Sequence, residues 1–104
     1  MTEIKEEVGR SKILIYMKGN RLFPQCGFSA ATIKAFEQLE VPFETVDILE
    51  DPEKRQAIKE FSSWPTIPQV YIAGEFVGGW DIIRELFERG ELQAMAQAAV
   101  QPES

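Results

Sequence analysis

Histidine is absent from the 104-residue sequence, and cysteine occurs once, at Cys26. With a single thiol no internal disulfide can form, which fits a reducing compartment, and one chain cannot assemble a Cys/His zinc site or a Cys–His catalytic pair. Positive charge is scarce: 11 Lys and Arg stand against 17 Asp and Glu, for a formal net charge of -6. That balance, with no long basic run, argues against nucleic acid or an anionic membrane as the main partner. Small anionic ligands stay open, because a local cationic patch can form on an acidic protein. No stretch approaches the roughly 20 apolar residues of a membrane span. The start, from Met1 to Glu7, is charged and lacks the apolar centre of a signal peptide. The expected compartment is the cytoplasm, although an organellar mature form would read the same way.

What is present suffices for one core. At 44% hydrophobic the chain is expected to form a single domain over residues 1–104. Residues 2–10 predict a short helix with a charged outer face, ending at Gly9. The apolar run Ile13 to Met17, within a strand expected over 12–18, suits a strand buried on both faces of a sheet. A helical stripe of Ala30, Ala31, Ile33, Ala35, Phe36 and Leu39 then stops at Val41-Pro42. Residues 43–49 alternate and are β-branched, a second strand. Strand, helix and strand in about forty residues make a βαβ crossover, so these strands are expected to be parallel and right-handed in connection.

Asp51 and Pro52 read as the N-cap and first turn of a further helix, which carries Arg55, Ile58, Lys59 and Phe61. After Trp64 to Pro68 breaks the pattern, Val70 to Ile72 and Phe76-Val77 predict a hairpin about Ala73-Gly74-Glu75. Trp80 or Asp81 opens a helix that Gly90 ends. Leu92, Met95, Ala96 and Ala99 suggest a last helix before a frayed tail. The economical packing is α/β: a four-stranded mixed sheet flanked by helices on both faces, the thioredoxin-like arrangement.

Cys26 lies between the first strand and the helix beginning near Gly27. There the helix dipole and outward N–H groups favour a thiolate. A lone cysteine is commonly a small buried hydrophobe. Its neighbours Pro24, Gly27 and Ser29 are instead loop and cap residues, with Lys18 and Arg21 close by in sequence.

Five motifs carry a family resemblance: Lys18-Gly19, Pro24 through Ser29, Arg55 through Lys59, Trp64 through Pro68, and Gly78-Gly79-x-Asp81. Together, in order, they resemble the single-domain monothiol glutaredoxins with a Cys-Gly-Phe-Ser site, over about Thr2 to Val100. The resemblance implies that Cys26 is the reactive thiol and binds beside glutathione. It places Lys18, Arg55 and Lys59 at the glycyl carboxylate and the backbone of Ile67, before a cis Pro68, against the cysteinyl backbone. Gly79 and Asp81 then hold the γ-glutamyl end. A doubly carboxylated peptide suits cations at one end and helix N–H groups at the other. Taken singly, Arg55 and Lys59 also read as solvated helix residues. Lys18, ending a buried strand just before the loop, reads as functional. Trp64 reads as a packing residue, and Phe28 as either a cover for the thiol or a core filler. Trp80 departs from the family, which usually has a small residue or cysteine there; its indole could narrow the pocket, stack at a dimer face or alter access.

Ser29 stands where dithiol relatives carry a second cysteine, and a hydroxyl cannot resolve a mixed disulfide. Two options remain for Cys26: attack on a glutathione mixed disulfide, or metal ligation. A [2Fe–2S] cluster takes four ligands, typically thiolates. The family implies that a homodimer supplies two and two glutathiones supply the others, for delivery to apo iron–sulfur proteins. It also implies a mixed dimer with a BolA-type protein, whose histidine would supply the ligand type missing here. The alternative is a glutathione-dependent oxidoreductase acting on glutathionylated proteins, and a third class is a non-redox adaptor.

Overall fold

The computed structural model describes residues 2–100. The helices and strands are α1 Thr2–Arg10, β1 Ile13–Met17, α2 Gly27–Gln38, β2 Glu44–Asp47, α3 Pro52–Ser62, β3 Gln69–Ile72, β4 Glu75–Gly78, α4 Trp80–Glu88 and α5 Glu91–Val100. The four strands form one sheet in the order β2-β1-β3-β4. β1 runs parallel to β2 and antiparallel to β3, and β3 runs antiparallel to β4. The tail expected after α5 lies outside the described residues.

The expectation of a strand buried on both faces holds in β1, every residue of which is buried. Successive side chains of a strand point to opposite faces. Ile13, Ile15 and Met17 accordingly join Ile33 and Phe36 of α2, Ile83 of α4 and Leu92 and Ala96 of α5 in one core. Leu14 and Tyr16 join Ile4 and Val8 of α1 and Ile58 of α3 on the other side. The result is three layers with the sheet in the middle. Phe36 has no exposed surface, and its ring meets that of Phe43 at 5.8 Å between centroids. Truncating such a side chain to alanine costs about 3–5 kcal/mol.

On the second face a polar pin joins three elements. Tyr16 donates its hydroxyl to Glu7 Oε1 at 2.7 Å, while Lys54 Nζ reaches Glu7 Oε2 at 2.8 Å and Glu3 Oε1 at 3.0 Å. Burial pulls the Lys54 ammonium pKa down, but the hydrogen bonds and charges of Glu7 and Glu3 outweigh it and hold the pKa above its ordinary value.

Helix ends differ from their sequence expectations in places. α1 continues one residue past Gly9, a position in the last turn where glycine costs at most about 1 kcal/mol. α2 stops at Gln38, before Val41-Pro42. Pro42 disfavours helical geometry at Val41, and the chain reverses through Glu40 at φ 57 so that Val41 and Phe43 turn into the core. Asp51 caps α3 as expected, its carboxylate accepting from Lys54 N at 3.0 Å, with Pro52 in the first turn. Only Glu44–Asp47 of the expected 43–49 strand is strand.

Candidate functional site

The loop between β1 and α2 is a closed structure built from local hydrogen bonds. Gln25 N–H donates to Lys18 O at 2.8 Å, Gly19 and Pro24 form an isolated bridge, and Asn20 Oδ1 accepts from Leu22 N at 2.9 Å and Phe23 N at 2.8 Å. Gly19 N–H donates to Asp47 Oδ1 at 3.1 Å, which ties the loop to the end of β2. Glycine is required at position 19: φ is 88, and a Cβ would lie 2.6 Å from both Gln25 N and Phe23 O. Arg21, near Cys26 in sequence, turns away from it. Its guanidinium stacks over Phe43 at 3.9 Å from the ring centroid and lies 3.9 Å from Glu37, holding the loop against α2.

This loop delivers Cys26 to the N-cap of α2 in extended geometry, with Ala30 N–H donating to its carbonyl at 2.9 Å. As a thiol the side chain makes no close capping hydrogen bond, so the first N–H groups of the helix face a sulfur that accepts strongly only when ionised. Burial pushes the Cys26 pKa up. The backbone N–H groups of Ser29 and Phe28, the Ser29 hydroxyl and the Lys18 charge outweigh that and leave it below the ordinary thiol value. Ser29 is fully buried, and its hydroxyl oxygen accepts from Lys18 N–H at 3.2 Å.

Beside the thiol opens a cleft of about 440 Å³. All eight residues expected at a site, Lys18, Cys26, Phe28, Arg55, Lys59, Ile67, Gly79 and Asp81, line it. Ile67 buries its side chain in the core under α3, and its bond to Pro68 is cis. Gly79 is the N-cap of α4 and brings no capping side chain, which leaves the first turn's N–H groups for a ligand. Phe28 is 60% exposed and lines the cleft, which overturns the core-filling role of the two expected for it.

The cleft carries three cations and one carboxylate, Asp81, on a chain of net negative charge. Arg55 Nε is buried and has no hydrogen-bond partner among the described residues. A buried guanidinium N–H left unpaired costs free energy, and a carboxylate is the group that matches it best. This orphaned donor is the strongest local sign that the cleft takes an anion.

Residues that sequence reasoning left out complete the site. Trp64, expected only to pack, does pack its ring on Phe76 at 5.8 Å, and it also lines the cleft; Trp80, already singled out as a residue that could narrow the pocket, lines it too. Gln69, fully buried, donates its amide to Trp64 O at 2.9 Å and Thr66 O at 3.3 Å, and accepts from Tyr71 at 3.1 Å. It holds the Trp64 to Pro68 segment in place. Asn20 had a local signal, an Asx residue opening a turn; Asp47 and Gln69 had none.

A mixed sheet in this order, with a cysteine at the N-cap position of the helix after β1 and a cis proline just before β3, defines a protein of the thioredoxin-like class. Within that class, the glutaredoxin family description matches residues 13–77, and the chain belongs to the glutaredoxin family. It is 54% identical to the protein named uncharacterized monothiol glutaredoxin ycf64-like of Synechocystis, over 93% of this chain and 91% of that one. The solution structure of reduced poplar apo GrxS14 aligns with a TM-score of 0.84 at 46% identity, covering 97% of this chain and 93% of that one. A buckwheat glutaredoxin solved in complex with glutathione shares the fold with a TM-score of 0.84 at 22% identity, covering 94% of this chain and 87% of its own. No helix among the described residues is long and apolar enough to cross a membrane.

Proposed function

We propose that the cleft binds glutathione and that Cys26 serves a monothiol iron–sulfur carrier. The observation that carries the first part is the unpartnered Arg55 Nε among Lys18, Lys59 and the uncapped start of α4. A peptide with a carboxylate at each end satisfies both the cations and the helix N–H groups. Ile67, which lines the same cleft, offers its backbone to the cysteinyl unit in this reading, and Asp81 its carboxylate to the ligand's ammonium.

The carrier role is what the resemblance to the Cys-Gly-Phe-Ser glutaredoxins implies, and ligand supply is consistent with it. One chain offers a single thiolate and no histidine, and a [2Fe–2S] cluster takes four ligands. Cys26 from each of two chains and the thiol of one glutathione on each complete the set, which makes the cluster cargo between two copies. Two of its ligands exchange freely, so it passes to apo-proteins by ligand substitution. In a mixed dimer a BolA-type partner supplies a histidine in place of a thiolate. A reducing compartment suits these requirements, either the cytoplasm or an organelle that holds a mature form.

A second reading rests on the lowered pKa of Cys26. Its thiolate attacks the glutathione sulfur of a protein–glutathione disulfide and the protein thiolate leaves. A second glutathione thiolate then attacks the Cys26-bound glutathione sulfur, releasing glutathione disulfide and restoring Cys26. Anaerobic reconstitution with iron, sulfide and glutathione, followed by native mass spectrometry, separates the two. The carrier reading expects a dimer with one two-iron cluster and two glutathiones, lost in Cys26→Ser. A glutathione-bound monomer without iron favours the oxidoreductase, and a normal cluster in Cys26→Ser overturns the assignment of the ligand.

A further inference from the structure

Trp64 is tied to both ends of the cleft. Its backbone N–H donates to Lys59 O at 3.2 Å and to Ser62 Oγ at 3.1 Å, anchoring it to the last turn of α3, which carries Lys59 one turn after Arg55. Its indole reaches the opposite end: a Cβ on Gly79, the N-cap of α4, would lie only 3.3 Å from Trp64 Nε1. Between these anchors the ring rests on Phe76, and the buried Gln69 amide holds the Trp64 carbonyl. The side chain is nonetheless 37% exposed, and it faces the cleft.

The geometry points to Trp64 as a specificity-determining residue that fixes the separation between the cationic end of the cleft and the N-terminus of α4. A filler of the core would be covered, whereas this indole is braced from behind and open toward the ligand. Only a glycine leaves the indole and the Pro68 carbonyl this near the start of α4, because a side chain on Gly79 would also bring its Cβ to 3.2 Å from Pro68 O. A ligand held by a carboxylate at each end must therefore match one length. The inference rests on the proposal that the ligand is glutathione, and it predicts selection against a peptide of the same charges with one extra methylene.

Isothermal titration with glutathione and with γ-glutamyl-cysteinyl-β-alanine tests it. One methylene in a fitted pocket is worth about tenfold or more in discrimination, and wild type is expected to prefer glutathione by about that factor. In Trp64→Phe the ring keeps its seat on Phe76 but does not reach Gly79, and the preference is expected to fall. In Trp64→Ala it falls further, below the roughly tenfold that a fitted pocket gives for one methylene. Circular dichroism checks that each variant is folded, and Trp64→Phe carries the test if Trp64→Ala is not. A wild type that binds both tripeptides equally, or a Trp64→Phe that keeps the full preference, overturns the assignment. A wild type that binds neither removes the glutathione proposal itself.

Discussion

The backbone N–H of Lys18 donates to the hydroxyl oxygen of Ser29 at 3.2 Å, joining the end of β1 to the first turn of α2. Ser29 is therefore more than the residue that replaces a resolving thiol. It sets the position of Lys18 and contributes to the lowered pKa of Cys26.

Ser29→Ala leaves the Lys18 N–H without its partner and removes one stabiliser of the thiolate. The Cys26 pKa is expected to rise, and the iodoacetamide alkylation profile to move to higher pH than wild type. The thiolate has a lowered folded pKa, so its contribution to stability is present above the unfolded value of about 8.5 and is lost as pH falls through the folded one. That increment shrinks in the variant. Leaving a part-buried donor unpaired adds about 1–3 kcal/mol of destabilisation at any pH, measured by urea unfolding. An alkylation profile equal to wild type would show that the hydroxyl has no electrostatic role.

Gly19→Ala places a Cβ on the backbone of Gln25 and Phe23 at a positive φ. The strain is about 1–3 kcal/mol, and relief requires the loop to open and Cys26 to leave the N-cap of α2. The expected result is lower stability together with a Cys26 alkylation profile displaced toward that of a free thiol. Stability and profile both unchanged would mean that the loop has room the close contacts deny.

Much of this architecture was legible because it is local. The uninterrupted apolar run Ile13 to Met17 announced a strand buried on both faces, and Asp51-Pro52 announced a helix start that the Asp51 carboxylate then makes. The eight site residues were reached through the spacing of motifs along the family resemblance, and the fold collects them in one cleft. What the sequence hid were partners distant along the chain. Nothing near Asp47 signals that it accepts from Gly19, 28 residues away. Nothing near Gln69 says that a buried amide will support the Trp64 segment. The end of α2 was misplaced because proline marks the limit of a helix, whereas the turn was made earlier, at Glu40.

The hairpin turn offers a gain in stability. Ala73 and Gly74 both adopt positive φ, at 55 and 81, the pattern of a type I′ turn. Alanine is penalised there by about 1 kcal/mol, and asparagine is tolerated. Ala73→Asn is expected to raise stability by about 0.5–1 kcal/mol, seen as a higher midpoint in thermal melts. A lower midpoint would show that the Ala73 methyl makes contacts worth more than the turn.

Alkaline pH is expected to unfold the chain from the α1–α3 side. Burial, then Glu7, raises the Tyr16 pKa well above its ordinary value, and burial pushes Tyr71 up to about 12, opposed by a hydrogen bond involving Ser62. Lys54 is raised as well. For all three the folded pKa exceeds the unfolded one, so their stabilisation is complete below about pH 10 and is lost as pH rises. Each adds a slope of at most about 1.4 kcal/mol per pH unit. Urea midpoints are expected to fall steeply above pH 10, and less steeply in Tyr16→Phe, which cannot ionise. An identical decline in that variant would assign the loss to other groups.

The cations of the cleft give the most direct test of what it binds. Arg55 and Lys59 lie one helical turn apart on α3, and Arg55 Nε has no partner among the described residues. If they receive a carboxylate, Arg55→Gln is expected to weaken glutathione binding by about 1.5–3 kcal/mol, roughly 10- to 150-fold, as for a charge-assisted hydrogen bond. Arg55→Gln combined with Lys59→Gln is expected to weaken it further, and to flatten the decline of affinity with ionic strength that screening imposes on wild type. Titration calorimetry across a salt series measures both. Unchanged affinity with an unchanged salt dependence would mean that these side chains are surface charge and that the anion, if any, is held by Lys18 and the start of α4.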